Sequence, residues 1–371
     1  MNKNKNLNDA ARAKKDEFYT QLEDIENELR HEEYKNFFKG KVILCNCDDP
    51  YESEFFKYFA MNFNALGLKK LIVTCYAGSP VAQTELNFDA GGSISTKPRN
   101  EYAYKVVINE FKDWNGDGRE DLEDIKQYIL THRGSWERLK GNGDFRSAEC
   151  IEILKEADVV VTNPPFSLFR EFVAQLMKYE KFFVILGNKN AVTYKEIFPL
   201  IQQNKMFVGY TPMGRDLLFT FPEKYKQDFI ENSDEGSRYR IIDGQMLARA
   251  AAIWYTNIPL KKHNEELPLV FEYSPEKYPK YDNYDAIEVS KTAQIPCDYF
   301  GVMGVPITFL DKYNPNQFEI LGLIADKRND NPAFIKGTPT YLDEGHKNYV
   351  GAVVNGKATY ARILIRRRQQ P

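Results

Sequence analysis

The sequence predicts an α/β protein: a doubly wound, mostly parallel sheet with an antiparallel edge, followed by a smaller α+β domain. Three observations predict it. From about residue 40 to about 205, short β-branched runs alternate with amphipathic stretches of helical length, the pattern of strand–helix–strand units. The length of 371 residues suggests about two domains. Beyond about residue 260 the alternation stops and the chain becomes rich in Pro, Tyr and Asn.

Val42 to Cys47 has the apolar, β-branched character of a buried first strand, and Ser53 to Phe63 reads as the helix behind it. Leu68 to Cys75 reads as the second strand, and Tyr104 to Asn109 as a third strand or an edge addition. Ala148 to Lys155 reads as a helix, Val159 to Thr162 as a strand and Leu168 to Tyr179 as the next helix. Phe182 to Leu186 then reads as a strand and Tyr194 to Gln203 as a helix. Met206 to Tyr210, Leu217 to Pro222 and Ala251 to Asn257 are expected to close the sheet as antiparallel strands. The predicted boundaries are a basic arm over 1–15, a sheet domain over 16–259 with an insertion at about 77–140, and a second domain over 260–371.

Composition narrows the function. With 43% hydrophobic and 28% charged residues the chain is globular, and no apolar run reaches the roughly 18–20 residues that span a bilayer. Met1 to Lys15 lacks the apolar stretch of a secretory signal. The five cysteines (Cys45, Cys47, Cys75, Cys150, Cys297) form no paired CxxC motifs, which points to free thiols in a reducing cytoplasm. His31, His132, His263 and His346 are scattered, so neither a metal cluster nor a histidine-based apparatus is expected. The net charge of −3 disfavours a general polyanion binder, yet it is unevenly spread. After Glu344 there is no acidic residue, while Lys347, Lys357, Arg362, Arg366, Arg367 and Arg368 are all positive. A solvated terminus and a phosphate-contacting tail both fit that run.

The most informative segment is Asn163-Pro164-Pro165-Phe166, directly after the strand-like Asp158 to Val161. Methylating an exocyclic amine requires freeing a lone pair that is delocalised into a ring. Two acceptors gripping the amine hydrogens can do so: the Asn163 side-chain oxygen and the Pro164 carbonyl. Proline brings no competing N–H, and it holds the residue before it extended. Phe166 supplies a flat face for a heterocycle. An ordinary strand-to-loop exit uses the same residue types, so the neighbouring segments decide.

Lys15 to Gln21, Asp48 to Ser53, Gly141 to Phe145 and Asn163 to Phe166 occur in the order of the motifs of S-adenosylmethionine-dependent amino-methyltransferases acting on DNA. The arrangement resembles the gamma group of adenine-N6 enzymes. More closely, the chain resembles the EcoRI-type adenine methyltransferases, through Asp16 to Gln21, Cys45 to Pro50, Phe55 to Phe59, Gly143 to Ser147 and Val160 to Phe169. Tyr278 to Ile287, Gly301 to Leu310, and Tyr360 with Arg362 to Ile365 extend the likeness almost to the C-terminus.

The resemblance implies a Rossmann-like methyltransferase domain at 16–259 and a target-recognition domain at 260–371. It implies S-adenosyl-L-methionine as methyl donor, with no metal required. Phe18, Tyr19 and Thr20 would hold the methionine end of the cofactor, and the loop Asp48-Asp49-Pro50 would contribute Asp49 as an acceptor. Asp144, with Phe145 beside it, would accept from the cofactor's adenine amine. Asn163, Pro164, Pro165 and Phe166 would be the catalytic set. The implied substrate is double-stranded DNA with its target adenine flipped out, and Arg362, Arg366, Arg367 and Arg368 would contact it. A cytoplasmic monomer is expected, alongside a cognate restriction endonuclease acting separately. One departure is the lack of glycine after the first strand, at Asp48 to Ser53, which that group shares. Alternatives are methylation of RNA bases or protein glutamine amides, and a non-catalytic cofactor-binding DNA-binding protein. Asp113 to Asp124 has EF-hand spacing, but its flanks read as strand then helix, which favours a solvated Asp-Gly turn over a calcium loop.

Overall fold

The computed structural model describes residues 20–47, 53–76, 87–88, 94–95, 103–132, 134–220, 230, 235–236, 239–242, 244–325, 335–339 and 349–369. The expected arm at 1–15 lies outside these, as does part of the 77–140 insertion. The chain divides into two compact units, one formed by 1–188 with 215–258 and the other by 189–214 with 259–371. The protein is mixed α/β with a large mixed sheet.

In the first unit the strands are β1 (Val42–Asn46), β2 (Lys70–Thr74), β3 (Tyr104–Ile108), β4 (Trp136–Arg138), β5 (Val159–Thr162) and β6 (Phe182–Asn188). They are followed by β7 (Leu217–Phe219), β8 (Tyr239–Ile242), β9 (Gln245–Ala250) and β10 (Ala252–Thr256). The large sheet runs β4-β3-β2-β1-β5-β6-β10. Its centre is parallel: β1 pairs in parallel with β2 and with β5, and β5 with β6. Both flanks are antiparallel, β3 on β2 and β10 on β6. Of the two expected options, Tyr104–Ile108 is a third strand rather than the edge, because β4 pairs antiparallel on its outer side.

The central strands are apolar on both faces because helices cover them; every residue of β1 and β5 is buried. The helices are α1 (Leu22–Leu29), α2 (Glu32–Phe38), α3 (Glu54–Met61), α4 (Leu122–Thr131), α5 (Ala148–Glu156) and α6 (Phe169–Lys178). Serine caps set two of their starts: Ser53 Oγ accepts the Phe56 N–H at 3.3 Å, and Ser147 Oγ accepts that of Cys150 at 3.2 Å. Helix α6 buries Phe169, Phe172, Val173 and Leu176 at helical spacing. Its first residue packs so closely on β6 that a Cβ at Gly187 would lie 2.4 Å from the Phe169 ring.

Two expected elements differ. Leu217–Phe219 does not close the large sheet; it pairs antiparallel with β9, which also pairs with β8, in a separate three-stranded sheet. Tyr194 to Gln203 is not one helix: a 3₁₀ turn spans Lys189–Thr193 and a short α-helix spans Phe198–Gln202, with Pro199 in its first turn. Proline has no N–H for an i→i−4 bond, so a helix starts at it more readily than it continues through it.

The Asp113 loop directs its carboxylates at its own backbone. Asp113 accepts the N–H groups of Gly116, Asp117 and Gly118, and Asp124 those of Trp114, Asn115 and Asp121. Asp121 and Asp124 form a capping box on α4. Among the described residues no group of three or more His, Cys, Asp or Glu is placed to hold a metal ion.

The second unit contains β11 (Ile287–Glu288), β12 (Met303–Pro306), β13 (Phe318–Ile324) and β14 (Arg362–Arg367), in the order β11-β12-β14-β13. Its core includes Met303, Val305, Phe309, Phe318, Leu323 and Ile363 to Ile365. No helix among the described residues is long and apolar enough to cross a membrane.

Candidate active site

The strand order reverses at β1, which has β2 on one side and β5 on the other. In open α/β sheets, ligands bind beyond the carboxyl ends of the strands at such a reversal. Asn46 ends β1 and Thr162 ends β5, and the Thr162 hydroxyl donates to the Asn46 carbonyl, tying the two ends together. Cys47 then leaves β1 with φ of 74°, a left-handed conformation that costs a non-glycine residue on the order of 1 kcal/mol.

Among the described residues, two amide oxygens at these ends lack partners. Oδ1 of Asn46 and Oδ1 of Asn163 are both buried with no hydrogen-bond donor. The Asn163 amide is held from its other side, where Nδ2 donates to Thr20 Oγ1 at 3.4 Å. Leaving a buried acceptor unpaired costs about 1–3 kcal/mol, a cost that a ligand bringing its own N–H groups would remove. Pro164 is buried, and Pro165 has φ −54° and ψ 119°. A 3₁₀ turn, Phe166–Leu168, follows, closed by the Leu168 N–H on the Pro165 carbonyl at 2.9 Å. Phe166 is half-buried at this turn.

The Gly143-Asp144-Phe145-Arg146 segment is locked to its surroundings. Gly143 has φ +78°, and a Cβ there would fall 2.1 Å from the Cys75 carbonyl oxygen and 2.8 Å from the Ala103 Cβ, so only glycine fits. Arg146 grips Asp144 through Nε to Oδ1 at 3.0 Å and Nη2 to Oδ2 at 2.7 Å. That side-chain bond, outweighing desolvation and aided by the Arg146 backbone N–H, holds the Asp144 carboxyl below the usual range. The carboxylate stays ionised and keeps lone pairs for a further donor. Arg146 Nη1 also reaches Glu171 on α6 at 2.9 Å, so one guanidinium links this loop to the helix that follows Asn163-Pro164-Pro165-Phe166. Phe145 is buried edge-on against Phe172, with centroids 5.0 Å apart, and its carbonyl takes the Gln175 amide at 3.0 Å. Its ring anchors the loop to α6.

Of the expected site residues, Thr20 and Asn163 are brought into contact. Phe18, Tyr19, Asp48, Asp49 and Pro50 lie outside the described residues. In the second unit, Arg362 pairs with the Glu288 carboxylate, Nη2 to Oε1 at 2.7 Å and Nε to Oε2 at 3.1 Å, and is mostly buried. Arg367 donates to the Cys297 carbonyl and lies over the Phe300 ring. Arg368 Nε donates to the Pro315 carbonyl at 2.7 Å, and its side chain, like that of Arg366, is exposed. Arg362–Arg367 is a strand paired on both sides, with β12 and β13. Sequence reasoning passed over Asn46, Arg146 and Glu171. Arg146 had a local signal, two residues from Asp144; Asn46 had none, because an unpaired acceptor is visible only in three dimensions.

A family model described as adenine-specific methyltransferase EcoRI matches residues 6–368. The chain belongs to the EcoRI adenine-specific methyltransferase family. Its relatives in that family include Type II methyltransferase M.EcoRI of Escherichia coli, 44% identical over 99% of this chain and 97% of the relative. Type II methyltransferase M.MpnI of Mycoplasma pneumoniae is 37% identical over 98% of each chain. No solved structure matches this member of the EcoRI family.

Proposed function

We propose that the protein transfers a methyl group from S-adenosylmethionine to N6 of adenine in duplex DNA, as the modification enzyme of a Type II restriction–modification system. Family membership carries the adenine-specific methyl transfer, and the relatives' printed names support the Type II assignment. The single structural observation behind the site is the buried, unpaired Asn163 Oδ1 at the end of β5. It fits a ligand that brings N–H groups, as adenine does.

In this reading the strand order β2-β1-β5-β6 supports a Rossmann-like domain, with the cofactor beyond β1 and the base beyond β5. Asn46 Oδ1 and Asp144 are the acceptors for the cofactor's amine groups, and Thr20 orients the Asn163 amide. When bound, the cofactor supplies an electrophilic methyl carbon whose bond to sulfur breaks as the new nitrogen–carbon bond forms. Asn163 Oδ1 and the Pro164 carbonyl draw on the two amine hydrogens, which frees the nitrogen lone pair for that bond. The proton lost from the amine passes to water. A paired adenine hides its amine, so the base leaves the stack, at a cost of a few kcal/mol. A face such as that of Phe166 returns about 1–3 kcal/mol by stacking.

The second unit is assigned to target recognition, with Arg366 and Arg368 as phosphate contacts. Arg362, engaged by Glu288, serves as an internal strut rather than a DNA contact. The purified protein should methylate adenine in duplex DNA given S-adenosylmethionine, and sequencing DNA from an expressing host should show N6-methyladenine in one sequence context. Methylation of RNA or protein in preference to duplex DNA, or cofactor binding without any methylation, would overturn the reading.

A further inference from the structure

The loop between β4 and α5, residues 139–147, is held in place without the Arg146 side chain. Glu149, on α5, accepts the Lys140 N–H at 2.9 Å and the Gly141 N–H at 3.2 Å. The Asn142 side-chain oxygen accepts the Asp144 N–H at 3.1 Å, and the Asp144 carbonyl accepts that of Ser147 at 2.9 Å. Phe145 and Gln175 fasten the loop to α6. Gly143 is seated against the backbone of Cys75, the residue after β2, which places the loop at the carboxyl edge of the sheet beside β1.

The Arg146 side chain is 47% exposed, and exposed ion pairs contribute little to folding. What it settles is the Asp144 carboxylate. An ionised carboxylate has two oxygens and about four lone-pair directions. Oδ1 accepts twice, from the Arg146 backbone N–H at 2.9 Å and from Nε at 3.0 Å. Oδ2 accepts once, from Nη2 at 2.7 Å, so among the described residues one direction on Oδ2 stays open. The guanidinium is itself restrained, because Nη1 donates to Glu171 of α6 at 2.9 Å. A planar fork held in this way fixes the plane of the carboxylate, which the point charge of a lysine would not.

We propose that Arg146 is a positioning residue that makes Asp144 a selective reader of the cofactor's purine, accepting an exocyclic N–H and rejecting a carbonyl in the same place. The inference rests on the cofactor reading above, in which Asp144 accepts from the adenine amine. An adenine ring presents an N–H to the open direction on Oδ2. A hypoxanthine ring presents a carbonyl oxygen there, acceptor against acceptor, with its N–H on the neighbouring ring nitrogen. A free carboxylate would turn to meet that N–H, whereas the clamped one is held away from it. Selectivity then comes from the repulsive contact as much as from the attractive one.

The test measures binding rather than turnover, by titration calorimetry on the full chain. Its two ligands are S-adenosylhomocysteine and the deaminated analogue S-inosylhomocysteine. The parent protein should bind the adenosyl ligand about 10–100-fold more tightly, the scale of one hydrogen bond to a charged acceptor. Arg146→Lys keeps a positive charge beside Asp144 but loses the fork. Its ratio should shrink to within about threefold, as the adenosyl ligand weakens and the inosyl ligand gains. Arg146→Gln should shrink the ratio likewise, and both variants should keep the parent's thermal unfolding midpoint within a few degrees. A parent that binds the two ligands alike overturns the inference without recourse to any variant. A lysine variant that keeps the parent's ratio also overturns it, leaving charge alone as the cause. So does equal weakening of both ligands with a lowered unfolding midpoint, which would make Arg146 a brace of the loop. A parent that binds neither ligand would instead sink the cofactor reading, and the inference with it.

Discussion

The carboxyl ends of β1 and β5 and the middle of the β11–β14 sheet both bury polar side chains, in opposite ways. In the second unit Glu288, 7% exposed, accepts twice from Arg362 and once from the Tyr281 hydroxyl. Burial, then the Glu288 carboxylate, raises the Tyr281 hydroxyl pKa far above its ordinary value, so it stays a donor. The fit is tight: a Cβ at Gly304 would strike that hydroxyl. In the first unit, Asn46 and Asn163 each keep a buried oxygen without a donor among the described residues. A completed network is structural, and an incomplete one fits a place where a ligand finishes it. An unpaired atom alone is weak evidence, since His263 Nδ1 is also buried without a partner. Two such oxygens at the ends of adjacent strands, at the reversal of strand order, support the proposed site.

Breaking the completed network should give the largest effect. Arg362→Ala leaves Glu288 buried without its cation and should cost about 3–5 kcal/mol of folding stability, measured by denaturant unfolding, with cofactor affinity of the folded protein unchanged. Full stability with weakened DNA binding would return Arg362 to the DNA surface. Asn163→Ala comes next: turnover should fall about 10²–10³-fold, the scale of losing one transition-state hydrogen-bond partner, while cofactor affinity stays within a few-fold. Equal losses in both would mean that Asn163 serves the cofactor instead.

The buried histidine sharpens the contrast through pH. Burial chiefly depresses the His263 pKa from 6.5 to about 4, although the Val208 carbonyl opposes this. Between these values the unfolded chain binds the extra proton, so stability is full above about pH 6.5 and declines towards pH 4, by at most about 3.5 kcal/mol at about 1.4 kcal/mol per unit. His263→Gln should flatten that slope in pH-dependent unfolding; an unchanged slope would assign it to other groups. Asp144→Ala should give the smallest effect, weakening cofactor binding about 10–100-fold through loss of a charged hydrogen bond worth about 1.5–3 kcal/mol, with saturated turnover little changed. An unaltered cofactor dissociation constant would confine Asp144 to bracing Arg146.

Much of this was legible in the chain itself. Val159–Thr162 coincides with its expected strand, and Phe169–Lys178 differs from its expected helix by one residue at each end, because apolar period and length are local properties. The Asn163 turn was legible for the same reason, since consecutive prolines restrict backbone geometry wherever they occur. Ion pairs are not local. Nothing within a few residues of Arg362 announces Glu288, which is 74 positions away in sequence and one strand away across β12. Likewise Leu217–Phe219 had the composition of a sheet-closing strand, but composition does not choose a partner strand. Backbone hydrogen bonds are alike at every residue, so the available edge and the packing beneath it decide. The sequence by itself determined the central strands β1, β2, β5 and β6, the family motifs and the chemistry available at the Asn163 turn. Only the tertiary structure decided which buried groups are satisfied, because a hydrogen bond depends on atoms a few ångströms apart in space, whatever their separation along the chain.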